Sequence, residues 1–133
     1  MNRHEIRVPI DSDTDIVTAR QKGREMASRL GFTSTDLTLI ATAISELARN
    51  IVLYAHQGEI VLSIAEDGAR RGMGVIAHDD GPGIPDVERA LEEGFSTSRS
   101  FGMGLSGVRR LVDEFKIVSK VGTGTTVSVK KWK

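Results

Sequence analysis

The glycines of this chain are distributed very unevenly, and that constrains its fold more than any other feature. Eleven of the 14 lie between Gly68 and Gly124, whereas the first 67 residues hold only Gly23, Gly31 and Gly58. Glycine inside an element costs stability, so such a concentration marks turns, or places where backbone must approach something closely. The first half is built to pack and the second to turn around a ligand. Pro9, Pro82 and Pro85 stand in unrelated contexts, and no repeat, low-complexity tract or linker divides the chain. Its 133 residues are expected to form one domain over 1–133. Apolar residues at 39% together with the glycines make up about half of it, the usual globular share.

The 18 basic and 18 acidic side chains cancel, which leaves no broad positive field for a phosphate backbone and argues against nucleic acid as partner. The absence of cysteine excludes disulfides, thiolate nucleophiles and Cys-based zinc sites. His4, His56 and His78 are too scattered for a metal cluster and read as structural or solvated. The N-terminus lacks the apolar core of a signal peptide, and no run approaches about 18 apolar residues. A soluble, cytoplasmic protein with no membrane partner is expected.

Glu5 to Ile10 alternates as a strand, and Asp11-Ser12-Asp13 offers caps to a helix running to Leu30, which Gly31 stops. Ser34 or Thr35 caps a second helix through about Tyr54, with Leu37, Ile40, Ile44, Leu47, Ala48 and Ile51 at helical spacing. Glu59 to Glu66 and Gly74 to His78 read as a hairpin around the turn-forming stretch 67–72. A short helix from Asp86 to Glu92, a Ser/Thr-rich loop, a helix from Leu105 to Asp113, and strands at Phe115–Lys120 and Thr125–Trp132 complete the chain. This order predicts an α/β two-layer sandwich, a mostly antiparallel mixed sheet with helices on one face.

Three stretches carry candidate chemistry. On a helical wheel with Glu46 at zero, the core stripe centres near about 140° and Asn50 falls within about 40°. Thr42, Leu39 and Leu53 share the Glu46 face, as on a half-covered wall. A carboxylate there can orient or deprotonate an attacking hydroxyl, and an amide oxygen one turn away can coordinate Mg2+ that also holds phosphates. An ordinary solvated Glu and Asn fit the same spacing. The second stretch, Asp79-Asp80-Gly81-Pro82-Gly83-Ile84-Pro85, ends a strand in two acids. Ionised Asp79 accepts only, which suits the exocyclic amino group of adenine and mismatches guanine. A type I or II turn capped by acids needs no ligand at all.

The third stretch is Gly102-Met103-Gly104-Leu105-Ser106-Gly107. It has the letters of a dinucleotide fingerprint, but neither the preceding strand nor the acid about 20 residues on. Its physical content is glycines opening a helix at Leu105, whose free N–H groups can cradle phosphate. Ser96, Thr97, Ser98 and Arg99 can add donors from a lid. A surface loop with a glycine helix start reads equally well. Gly122-Thr123-Gly124-Thr125 reads as a hairpin turn. No P-loop, His-Arg-Asp triplet or Gly-x-Ser-x-Gly elbow occurs.

In order, Glu46-x-x-x-Asn50, Asp79-x-Gly81-x-Gly83, Gly102-x-Gly104-x-x-Gly107 and Gly122-x-Gly124-Thr125 resemble the motif set of the GHKL ATPase and kinase superfamily, over about residues 35–130. The resemblance implies that superfamily's sandwich, with ATP and Mg2+ between helices and sheet. It gives Glu46 the role of general base, Asn50 that of Mg2+ ligand and Asp79 that of adenine ligand. It places Gly81, Gly83, Gly102, Gly104, Leu105, Gly107 and Thr125 around the nucleotide. The minimal length and the runs at 45–50, 81–85 and 94–98 look like the RsbT-type switch kinases of bacterial stressosomes. That likeness implies serine/threonine phosphorylation of STAS-domain scaffold or antagonist proteins, and binding to a PP2C-type phosphatase on release.

Many members of the superfamily carry Lys or His shortly after the Asn, where this chain has Ile51-Val52-Leu53-Tyr54. Arg99 or the lid backbone is expected to contact the γ-phosphate instead. There is no length for the helical hairpin of a two-component histidine kinase. Arg109 and Arg110 read as a solvated helix face. The rival expectation is an ATP-bound regulatory module of the anti-sigma type, acting by partner sequestration.

Overall fold

The computed structural model describes residues 5–87, 91 and 104–133. The elements run β1 (Ile6–Ile10), α1 (Asp13–Leu30), α2 (Ser34–Asn50), a π-helical turn (Ile51–Ala55), β2 (Gly58–Asp67), β3 (Arg70–Asp79), α3 (Gly104–Leu111), β4 (Glu114–Lys120) and β5 (Gly124–Trp132). The five strands form one sheet in the order β1-β2-β3-β5-β4. All four neighbouring pairs are antiparallel, so among the described residues the sheet has no parallel pair. It is an α/β sandwich, as the element order predicts.

Local chemistry accounts for the helix ends. The Asp15 carboxylate accepts from the backbone N–H groups of Asp11 at 2.9 Å and Ser12 at 3.2 Å. These bonds, that from Asp11 foremost, hold its pKa below the ordinary carboxylate value. Gly31 ends α1 at φ 90°, its N–H returning to the carbonyls of Ala27 and Ser28. The cap of α2 is Thr33, one residue earlier than the sequence suggests, with its hydroxyl accepting from Asp36 N–H at 3.2 Å. α-Helical hydrogen bonding stops at Asn50, and a π-helical turn carries the chain on to Ala55. α3 ends at Leu111, two residues short of the expected limit.

The hairpin is tighter than its glycines suggest. Asp67 pairs with Arg70, so only Gly68 and Ala69 form the turn. Gly72 and Gly74 both lie in β3, where a Cβ on Gly72 would strike the Lys131 carbonyl and Trp132, and one on Gly74 would press on the Ser63 hydroxyl. Of the short helix expected at 86–92, only 86, 87 and 91 are among the described residues.

The core lies between the helices and the inner face of the sheet. Ile40, Ile44, Leu47, Ala48 and Ile51 pack with Ile60, Leu62, Met73, Val75, Ala77, Val127 and Val129. The stretch Ser34–Ala55 is long and apolar enough to cross a membrane by composition alone, but this stripe is buried inside the domain. Leu47 is 1% exposed, so Leu47→Ala should lower the unfolding free energy by about 2–5 kcal/mol. Urea denaturation with an unchanged m-value would read that loss directly.

Candidate functional site

The end of β3 and the C-terminal turn of α2 meet at one edge of the sandwich. Gly58 pairs with Asp79, and its missing side chain leaves room for the Ile51 methyl group and the Asp79 Cβ. Gly81 sits against Ala55, the last residue of the π-helical turn, where a Cβ would strike both Ala55 and Asp79 Oδ1. Two glycines therefore lock the helix end to the strand end. π-Turns are rare and favour functional sites. This one closes on His56, whose φ of 71° is the one left-handed non-glycine backbone among the described residues.

Glu46 and Asn50 project from this end of α2, one turn apart. Thr42, Leu39 and Asn50 are half-buried as the wheel suggests, but Leu53, expected on the same face, is exposed in the π-helical turn, and Glu46 is more enclosed than expected, at 6% exposed. A wheel cannot show that enclosure, which needs neighbours from outside the helix; α3 is one of the elements that pack on α2. Arg49 Nε lies 3.9 Å from Glu46 Oε2, a loose ion pair along the helix. The spacing alone gives no hint of it.

Asp79, Thr125 and Ser119 are register partners across β3, β5 and β4. Asp79 Oδ1 accepts the Gly81 N–H at 2.9 Å, which orients the carboxylate and starts the turn. The segment after it is pinned to the β4–β5 hairpin by Gly122 N–H to the Pro82 carbonyl at 2.8 Å and Ile84 N–H to Ser119 Oγ at 2.7 Å. Gly83, at φ 78°, crosses directly over the Lys120 carbonyl. Thr125 Oγ1 is 2.7 Å from Ser119 Oγ. The β4–β5 hairpin turns at Val121, Gly122 and Thr123, while Gly124 and Thr125, expected within that turn, open β5 instead; Gly124 passes under Asp79 at φ 135°. The acids thus sit on an ordered turn whose glycines leave the backbone bare.

Gly104, at φ 71°, opens α3, one residue before the expected start. Leu105 and Gly107 are half-buried, Ser106 and Val108 buried, and Arg109 and Arg110 exposed. Gly102, Arg99 and the lid segment 94–98 lie outside the described residues, as does His4. His78 is on the outer sheet face, its Nδ1 2.8 Å from Thr126 Oγ1 and its Nε2 3.3 Å from Asp80 Oδ1. His56 is exposed.

Among the described residues no three His, Asp or Glu side chains gather as a metal site. What Glu46 and Asn50 offer is a hard, all-oxygen pair, which suits Mg2+ bound jointly with phosphates rather than a protein-only cage. Sequence reasoning missed Ser119. The signal was available: β4 alternates, and Ser119 occupies the inward phase of Phe115 and Ile117.

The family model of histidine kinase-, DNA gyrase B- and HSP90-like ATPases matches residues 35–133. A serine/threonine-protein kinase RsbT of Bacillus subtilis is 51% identical over 125 residues, covering 94% of each chain. An anti-sigma F factor of Geobacillus stearothermophilus is 33% identical over 85% of this chain and 81% of its own. Among solved structures, the RsbU and RsbW domains of a Mycobacterium tuberculosis protein superpose with a TM-score of 0.64 at 22% identity, over 97% of this chain and 33% of that one. That last likeness speaks for the fold.

The contact between Gly124 and Asp79 can be tested directly. A Cβ at 124 would fall on the Asp79 carbonyl oxygen, in a backbone conformation that side chains avoid. Gly124→Ala should destabilise by about 1–3 kcal/mol and shift the amide resonances of Asp79 and Thr125. A variant as stable as the parent, with an unchanged spectrum, would mean that the two strands do not approach this closely.

Proposed function

Since the chain belongs to the histidine kinase-, DNA gyrase B- and HSP90-like ATPase family, we propose that it is an ATP-dependent protein serine/threonine kinase acting as a stress-signalling switch. Its substrates on this reading are STAS-domain scaffold or antagonist proteins, and once released from them it binds a PP2C-type phosphatase. It is soluble and cytoplasmic, a single domain over 1–133. The 51% identity to a serine/threonine-protein kinase supports the activity class. The observation that carries the mechanism is Glu46, a buried carboxylate one helical turn from Asn50 at the edge where β3 ends.

Asp79 accepts from the amino group of adenine, and Thr125, its neighbour across the sheet, lies against the base. Gly81 and Gly83 let the ring approach bare backbone. The phosphates run toward the start of α3, where Gly104, Leu105 and Gly107 offer N–H groups; Gly102 and Arg99 are assigned to the phosphates on the sequence motif alone, Arg99 to the γ-phosphate. The Asn50 side-chain oxygen would hold Mg2+ jointly with phosphate oxygens, and the ion would supply charge neutralisation on the triphosphate. The substrate hydroxyl attacks the γ-phosphorus and gives its proton to Glu46, while the bond to the β–γ bridging oxygen breaks and ADP leaves. Little covalent chemistry falls to the protein, so positioning dominates. The burial of Glu46 supports this role by keeping competing water away from the carboxylate.

A second reading is favoured by the anti-sigma F relatives: the chain holds ATP as a structural ligand and acts by sequestering a partner. Label transfer separates the two. On the kinase reading, [γ-32P]ATP labels a STAS-domain substrate, and Glu46→Gln lowers the rate by about 10²–10⁴-fold with ATP affinity retained. A tight complex without label in the partner would support sequestration instead. Asp79→Asn should weaken ATP binding by about 1.5–3 kcal/mol, the worth of a hydrogen bond to a charged group. Equal affinities in calorimetry would remove Asp79 from the adenine site.

A further inference from the structure

The hydroxyl of Ser119 faces three polar groups with one proton and two lone pairs. Ile84 N–H donates to it at 2.7 Å, Thr125 Oγ1 lies 2.7 Å away, and the Gly124 carbonyl 3.3 Å away. An amide N–H only donates, so Ile84 occupies one lone pair. The Ser119 proton then has two destinations. Directed at the Gly124 carbonyl, it leaves Thr125 to donate to Ser119, and Thr125 turns an acceptor toward the cleft. Directed at Thr125, it frees the Thr125 proton for whatever lies beside Asp79. The 2.7 Å contact survives in both arrangements. The 3.3 Å contact belongs to the first alone and exceeds the good O–H···O range of about 2.5–3.0 Å. A ligand's demand for a donor can therefore settle the direction.

The ribose of a nucleotide hangs from the five-membered ring of its purine. With the triphosphate lying toward Glu46 and Asn50, the edge that reaches the strand ends is the six-membered one, carrying the amino group and N1. Asp79 and Thr125 are directly opposed on adjacent strands, their Cα atoms about 5 Å apart and their side chains on one face. If Asp79 takes the amino group, N1 falls to Thr125, and N1 needs a donor.

We infer that Ser119 is a specificity-determining positioning residue: it passes its proton to Thr125 so that Thr125 donates to adenine N1. The inference rests on the adenine reading of Asp79. The chain Ile84 N–H, Ser119 O–H, Thr125 O–H, N1 runs in one direction, each donor polarising the next. It joins the base to the backbone of the 81–85 turn through one hydroxyl.

The test measures binding of ATP and 1-deaza-ATP, which lacks only the N1 acceptor, by calorimetry in Mg2+. The intact chain should prefer ATP by about five- to tenfold, one neutral hydrogen bond. Ser119→Ala should bring that preference to twofold or less, through weaker ATP binding with 1-deaza-ATP little changed. Ser119→Cys, near-isosteric and a poor donor, should do the same and keeps the test open if the alanine variant does not fold. A loss of affinity for both nucleotides in equal proportion would reduce Ser119 to an anchor for Ile84 and overturn the relay. An intact chain that does not distinguish the two nucleotides, or distinguishes 7-deaza-ATP instead, overturns it as well. An intact chain that binds no adenine nucleotide, or an Asp79→Asn variant that binds ATP fully, would instead refute the adenine reading beneath it.

Discussion

The rotation of α2 about its own axis is set by the burial of Ile40, Ile44, Leu47 and Ile51 against the inner face of the sheet, and the candidate site depends on it. Each of these side chains is 3% exposed or less. Burying each is worth about 1.5–3 kcal/mol, far more than any pairing available to Glu46 or Asn50 at the helix edge. A turn of α2 by one residue, about 100°, would drive this stripe off the sheet. Packing therefore decides where the carboxylate and the amide point, and the polar groups have no vote. Gly23 in α1 strengthens the constraint, since its Cβ would run into the side chain of Ile44.

The periodicity of α2 was legible for that reason: a helix that buries one stripe must show it in sequence. The enclosure of Glu46 was not, because a wheel describes one helix only, whereas enclosure is set by elements that other parts of the chain bring to it. The π-helical turn is invisible for a related reason. Nothing in Ile51-Val52-Leu53-Tyr54-Ala55 forbids another α-helical turn; the close seats at Gly58 and Gly81 bring the chain round sooner. Local codes specify caps and stripes, whereas non-local contacts specify where helices stop.

Glycine misled in one place and informed in another. Gly72 looked like part of a wide turn, yet it is a strand residue crowded by Lys131 and Trp132, like Gly74, which the sequence already places in the strand. Gly81 and Gly83 looked like a turn or a ligand loop, and the geometry is an ordered turn with bare backbone. Composition cannot separate these cases, because the absence of a side chain serves close packing, positive φ and ligand approach alike. Pairing register separates them, since it shows which backbone lies opposite each glycine.

The chain is formally neutral, and the helix after Asn50 carries no lysine or histidine where relatives of this superfamily often do. On the proposed reading, the fixed dipole of α3 takes over much of that cation's role. α2 runs past Asn50 into the π-helical turn, so its negative pole lies near Ala55 and Asn50 sits one turn inside it. α3 begins at Gly104, so its positive pole faces the position proposed for phosphate. The α3 end contributes roughly half an elementary charge of positive sign on the phosphate side. Arg49, partly exposed and 3.9 Å from Glu46, adds a positive charge beside the buried carboxylate. A site arranged this way needs no strong surface field, which is how a chain with balanced charges can still handle a tetra-anion.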